Sequence, residues 1–217
     1  AQALADAKTE QGPIEIRLLG MDSCVMSMVE VCYELPENVQ WLIGAEGSTP
    51  LTGWPYYKIL GLLLEVETQK LAELEIEEIA HGICEEYIQY YSDYYDAGIS
   101  VDIASVDLSL QRKDKLRVAI YGLTTYLLYG LNLPRVREAV ILAHWRAQSY
   151  KFENYADLWD FCNLLQASQP DNEDIAKYCS IVKEAIAEMA KSRYYGPAFQ
   201  HSHGLSLYFP WRESWEI

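Results

Sequence analysis

Five cysteines punctuate the chain, at positions 24, 32, 84, 162 and 179, and only Cys24 falls outside an apolar helical pattern. It directly follows a strand-like run, IEIRLLGM (14–21), in the triplet Asp22, Ser23, Cys24, and a pattern with helical spacing, Val25, Met28, Val29, Cys32 and Leu35, begins beside it. A thiol attacks as its thiolate, and the unpaired N–H groups of a helix N-terminus favour that anion. The same N–H groups can stabilise the oxyanion of a tetrahedral intermediate, so one turn would hold a nucleophile and part of an oxyanion hole. Against this stands the role of a small buried hydrophobe. Asp22 likewise has two readings: a carboxylate that offsets the desolvation of a bound guanidinium or ammonium, or a cap for the helix that follows.

Several elements must position these residues. After strand 14–21 and the helical pattern 25–35, stopped by Pro36, comes a second strand, VQWLIGAE (39–46). GSTPLTGWP (47–55) has the composition of an ordered loop and leads through YYKILGLLLEV into a helix. A long amphipathic helix over 68–95, a strand over 99–110, and helices over 112–131, 134–149, 155–167 and about 171–194 follow, before a last strand, GLSLYFP (204–210). Strands separated by helices predict an α/β fold, a mostly parallel sheet covered on both faces, with the ligand site beyond the carboxyl ends of the strands.

At 217 residues, half of them hydrophobic, the chain suits a single domain over 1–217. A formal charge of −15 disfavours nucleic acid and anionic membrane as partners and suits cationic peptides. No run of 18 apolar residues exists without a charge or turn former, and AQALADAKTE does not read as a signal peptide.

DSCVMSMVEVCYEL (22–35) resembles the active-site stretch of the clostripain family of cysteine endopeptidases, Asp-Ala-Cys-x-Met followed by Glu-Val-Ala-Tyr-Glu-Leu. GAEGSTPLTGWPYYKIL resembles the family's Ser-Glu-Glu-x-x-Pro-x-x-Gly-Trp-x-Tyr loop, SVDLSL its Ser-x-x-Asp-Leu strand, NYADLWDFC its Asp-Leu-x-Asp-Phe helix, and HGLSLYFP its Gly-Leu-Ser-x-Tyr-Phe-Pro strand. The similarity runs from about 14 to 210 in the family's order. It implies a caspase-like three-layer α/β/α sandwich, of which this chain is the larger, C-terminal part. It also implies Cys24 as catalytic nucleophile and Asp22 in an S1 pocket for Arg or Lys. The substrate would be a peptide or protein with a basic P1 residue, and the setting secreted or periplasmic, with a cytoplasmic one left open.

The family's catalytic His lies upstream of the nucleophile, and here none of the four histidines precedes Cys24. His81 and His144 fall in helical patterns. His201 and His203 read as loop residues, because an i, i+2 pair without a third donor is a weak metal signal. The resemblance implies that the base resides on a light chain cut from a common precursor, and that this chain is the heavy chain. Its first strand would then present an edge for the partner to cover. The rival is a catalytically silent member retained as an interaction or regulatory module. Where family members place an acid before Gly-Trp, this sequence has Leu51 and Thr52, so Asp22 stands as the main S1 carboxylate, with Thr52 beside it and Glu46 close enough in sequence to contribute. Some relatives depend on calcium, yet the chain has no EF-hand-like loop; no cofactor is expected, and calcium is left open.

Overall fold

The computed structural model describes residues 2–9, 12–68, 75–94, 99–150 and 154–210. After a short helix α1 (Gln2–Ala5) and a two-residue hairpin, β1 (Lys8–Thr9) and β2 (Gly12–Pro13), the chain enters the central sheet. That sheet has four strands, β3 (Ile16–Gly20), β4 (Val39–Gly44), β5 (Val101–Asp107) and β8 (Ala190–Tyr195), in the order β3-β4-β5-β8. β3 and β4 are parallel, with Ile16 opposite Val39 and Gly20 opposite Ile43; β5 runs against β4, and β8 runs against β5. Three of the four strands therefore share one direction, and β5 opposes them. Among the described residues, β3 is an end strand whose outer edge pairs with nothing.

Helices cover both faces, which completes the three-layer α/β/α arrangement. One face packs Leu42, Ala104 and Val106 against α2 (Val29–Glu34), α5 (Leu110–Gly130), α6 (Pro134–Arg146), α7 (Leu158–Ser168) and α8 (Glu173–Met189). The other packs Ile43, Val101 and Ile103 against α3 (Tyr56–Thr68) and α4 (Ile76–Tyr94). Residues of β5 alternate between these two cores, so the strand is buried along nearly its whole length, with Asp102 and Ser105 as its buried polar members. Two helices start on side-chain caps: Asp157 accepts from the Asp160 N–H at 2.6 Å, and Asn172 from the Ile175 N–H at 3.0 Å.

Four expectations change. The helix expected over 25–35 begins only at Val29, for reasons given below. The helix expected to about 194 stops at Met189, and Ala190–Tyr195 is instead β8, paired along its whole length with β5. Residues 155–157, expected in a helix, form β7 (Tyr155–Asp157), which pairs with β6 (Ser149–Tyr150). The last strand, β9 (Ser206–Tyr208), joins this small sheet and meets the segment after Cys24 through a bridge to Met28, a hydrogen bond from Ser206 N–H to Ser27 O at 3.1 Å and one from Tyr208 N–H to Glu30 at 2.9 Å. Part of the helix expected over 68–95 lies outside the described residues.

Candidate active site

β3 delivers the chain to the loop that carries Cys24, and β4 delivers it to the loop Ala45–Pro55; hydrogen bonds bind the two loops together. Met21 N–H donates to Ile43 O at 2.9 Å, Val25 N–H to Gly47 O at 3.0 Å, and the N–H groups of Met26 and Ser27 to Ala45 O at 2.8 and 3.0 Å. These bonds replace the first helical turn that the apolar spacing predicts. Val25 is buried as expected but sits at φ +58°, a left-handed conformation that is strained for a β-branched residue and incompatible with a helix start. The turn sends Val25 inward while Cys24 remains exposed.

The N-terminus of α2 thus lies beyond Cys24, and a loop N–H takes its place. Thr49 N–H donates to Cys24 Sγ at 3.3 Å, and the thiol in turn lies 3.8 Å from Thr49 O, so both backbone groups of Thr49 engage the sulfur. Of the four consecutive N–H groups from Cys24 to Ser27, three are committed to carbonyls of the neighbouring loop. Among the described residues nothing accepts from the fourth, the Cys24 N–H, which leaves it available to an oxyanion.

Asp22 is exposed and is held by the far end of the same loop. Its Oδ2 accepts from Trp54 N–H at 3.1 Å and from the Tyr56 hydroxyl at 2.8 Å. The Asp22 carboxylate in turn pushes the Tyr56 phenol above its ordinary pKa, because ionising the phenol would remove the donated hydrogen bond. The fit depends on Gly53, which has φ +66° and whose missing Cβ would lie 2.7 Å from Asp22 Oδ2. Gly20 plays a similar part underneath: a Cβ there would meet the Trp54 ring at 2.8 Å, so its absence lets Trp54 close over the end of β3. Thr52 shares a hydrogen bond with Tyr91 at 2.8 Å, and Tyr91 donates to Gly53 O at 2.8 Å, tying the loop to α4.

Glu46 is placed differently from the sequence expectation. It is fully buried, accepts from Gly204 N–H at 2.7 Å and is turned away from the surface where Asp22 lies. Burial first, then the nearby Asp157 and Asp102, push its carboxyl well above the ordinary range, which favours its neutral form. Asp102 accepts from the N–H groups of Glu46 at 2.7 Å and Gly47 at 3.0 Å; burial raises it to about 6 even against those donors. This buried acidic group supports the loop from below.

The histidines are engaged elsewhere. His81 packs edge-on against Trp41, His144 stacks on Phe209, and His201 is exposed. His203 stacks on Trp159 with its Nδ1 3.3 Å from Asp157; burial opposes its charged form, but the Asp157 carboxylate outweighs that and raises its pKa. Among the described residues, no histidine hydrogen-bonds Cys24. Sequence reasoning missed Thr49, Trp54 and Tyr56. Two of these act through backbone N–H groups, which no residue type signals, and Tyr56 reads as an ordinary start to a helix.

An exposed thiol just beyond a strand, in a sheet sandwiched by helices, is an arrangement that a cysteine peptidase of caspase-like fold can use. A family model described as the clostripain family matches residues 2–210, so the chain belongs to the clostripain family and is a cysteine protease. No curated protein matches. Among solved structures, a clostripain from Bacteroides thetaiotaomicron in complex with the peptide inhibitor BTN-VLTK-AOMK is similar at 18% identity and TM-score 0.60, over 93% of this chain and 82% of that one. A cysteine protease of B. fragilis is similar at 19% identity and TM-score 0.55, over 92% and 80%. An inactive zymogen C11 protease from Parabacteroides distasonis is similar at 16% identity and TM-score 0.60, over 96% of this chain but 55% of that one. At such identities the likeness concerns the fold.

Proposed function

We propose that this protein is an endopeptidase that cleaves after Lys or Arg, with its catalytic histidine supplied by a light chain seated along the open edge of β3. The observation that carries the reading is that the single loop 47–55 touches both Cys24 Sγ, through Thr49, and the exposed carboxylate of Asp22, through Trp54. Nucleophile and cation acceptor are thereby fixed to one another. Asp22 would hold the P1 cation, and the peptide inhibitor of the B. thetaiotaomicron clostripain, written VLTK with a lysine last, fits that chemistry.

In the proposed reaction the Cys24 sulfur attacks the scissile carbonyl carbon and the Cys24 N–H takes the oxyanion. The light-chain histidine, having received the thiol proton, donates it to the departing amine, leaving a thioester on Cys24. Water, deprotonated by the same histidine, then releases the acid and restores the thiol. Among the described residues the outer edge of β3, the strand that leads to Cys24, has no pairing strand, and such an edge suits the two-chain form.

The test is labelling of the native protein by peptidyl-Lys and peptidyl-Arg electrophiles. A single adduct at Cys24, lost in Cys24→Ala, is expected; an absence of labelling in the intact assembly would overturn the reading in favour of a silent module. For the two-chain form, native mass spectrometry is decisive: an active species consisting of this 24.9 kDa chain alone refutes it.

A further inference from the structure

We infer that Tyr56 is a specificity-determining positioning residue that biases the S1 site toward lysine over arginine, by occupying one oxygen of Asp22. The inference rests on the proposed recognition of a basic P1 residue by Asp22, and it goes beyond it by choosing between the two basic side chains.

A carboxylate recognises guanidinium best with both oxygens, each accepting one arm of the planar fork. Asp22 is not free to do this. Its Oδ2 already accepts two hydrogen bonds, from Trp54 N–H at 3.1 Å and Tyr56 Oη at 2.8 Å, which uses both lone pairs of that oxygen. The backbone of Gly53 passes close by the same oxygen, since a Cβ built at that position would lie 2.7 Å from it. Oδ1 accepts nothing among the described residues. The pocket therefore presents one acceptor oxygen rather than two.

An ammonium is a compact point charge that needs one charged acceptor and completes its shell from neutral oxygens. The Tyr56 hydroxyl, with its hydrogen committed to Asp22, keeps an oxygen lone pair that can accept from such a group. A guanidinium would make one good hydrogen bond to Oδ1 and bring its second arm to an oxygen with no lone pair left. Within the two loops that carry the site no second exposed carboxylate is present. Asp22 is the only acid in residues 20–28, and the only acid in residues 45–56 is Glu46, which is fully buried. Thr52 has its hydroxyl paired with Tyr91.

Tyr56 is the removable member of the pair of donors, because the other is a backbone N–H. Its side chain is half exposed on the first turn of α3, so Tyr56→Phe deletes one oxygen without disturbing the core. The experiment uses the complete active protease, the light-chain portion included, and measures kcat/KM on matched peptides that differ only in Lys or Arg at P1. The parent enzyme is expected to favour Lys. Tyr56→Phe, which frees one lone pair of Oδ2, is expected to shift the Lys-to-Arg ratio toward Arg by about tenfold, the worth of one charge-assisted hydrogen bond. A purely structural role for Tyr56 would lower both substrates together and leave the ratio fixed. An unchanged ratio, or a shift toward Lys, overturns the inference while leaving basic P1 recognition intact. Cleavage after uncharged residues with none after Lys or Arg overturns the S1 assignment itself, and this inference with it.

Discussion

Replacing Gly53 with Ala should separate recognition from chemistry. The added Cβ would stand 2.7 Å from Asp22 Oδ2, 3.5 Å from Cγ and 3.6 Å from Oδ1, and the residue would have to hold φ +66°. The left-handed conformation alone costs roughly 1–2 kcal/mol for an L-residue. The overlap can be relieved by rotating Asp22, a short and exposed side chain, but the rotation breaks the bonds from Trp54 N–H and Tyr56 Oη that orient the carboxylate. Losing the geometry of one charge-assisted contact to substrate corresponds to about 1.5–3 kcal/mol, or between tenfold and a hundredfold in kcat/KM. Thr49, which holds the Cys24 sulfur, lies four residues earlier in the loop and is untouched. Gly53→Ala should therefore cut kcat/KM on basic P1 peptides by that factor, chiefly through KM, while the rate of Cys24 alkylation by iodoacetamide stays within about twofold of the parent, well under 1 kcal/mol. If alkylation and peptide cleavage fall by the same factor, the loop moves as a whole and the division of labour drawn here is wrong; if neither falls, Gly53 does not set Asp22.

Two further outcomes follow from the buried groups. Native protein exposed to iodoacetamide should gain one adduct, at Cys24, because Cys32, Cys84, Cys162 and Cys179 are fully buried and burial pushes the Cys32 and Cys84 thiols to about 12; a second adduct forming as fast on intact protein would refute this. Stability should fall as pH rises from about 4 to about 6, since over that range the unfolded chain releases the Asp102 proton while the folded chain keeps it to about 6, a difference of about 3 kcal/mol. Glu46, also raised, adds to the fall in the same direction above its ordinary pKa. Glu46→Gln, which can still accept from Gly204 N–H but cannot ionise, should flatten the curve of denaturation midpoint against pH; superimposable curves would show that Glu46 does not titrate with folding.

Much of the frame is legible in the sequence because it depends on local pattern. β-branched content and alternation mark β3 and β5 as strands, and Pro134 sits at the start of its helix as expected. What the pattern does not carry is competition from distant partners. Val25, Met28, Val29 and Cys32 are all buried with the expected spacing, yet the first turn is lost because Gly47 and Ala45 carbonyls capture the N–H groups of Val25, Met26 and Ser27. AKSRYY follows α8 with no turn signal, and only the free side of β5 makes it a strand. In the site, Cys24 and Asp22 are visible as residue types, whereas their supports are backbone N–H groups and a phenol. Glu46 looked available because it neighbours the loop in sequence; Gly204, 158 residues away, draws it inside.

The burial of Glu46 explains how a loop rich in Gly, Ser, Thr and Pro can hold two functional groups in register. Such a loop has few side chains with which to fix itself, so its order must come from groups that bind its backbone. Asp102 supplies two acceptors at the point where β4 ends, Tyr91 binds the Gly53 carbonyl near the other end, and Glu46 ties the segment to Gly204, just before β9. Three carboxyls, those of Glu46, Asp102 and Asp157, are thereby brought into the interior, with His203 beside Asp157, and burial favours the neutral forms of Glu46 and Asp102. Ionising this interior should therefore loosen the loop that aims Thr49 at the sulfur and Trp54 at Asp22. Loss of catalytic geometry and loss of stability should accordingly share one pH window, with the loop between β4 and α3 loosening before the sheet beneath it.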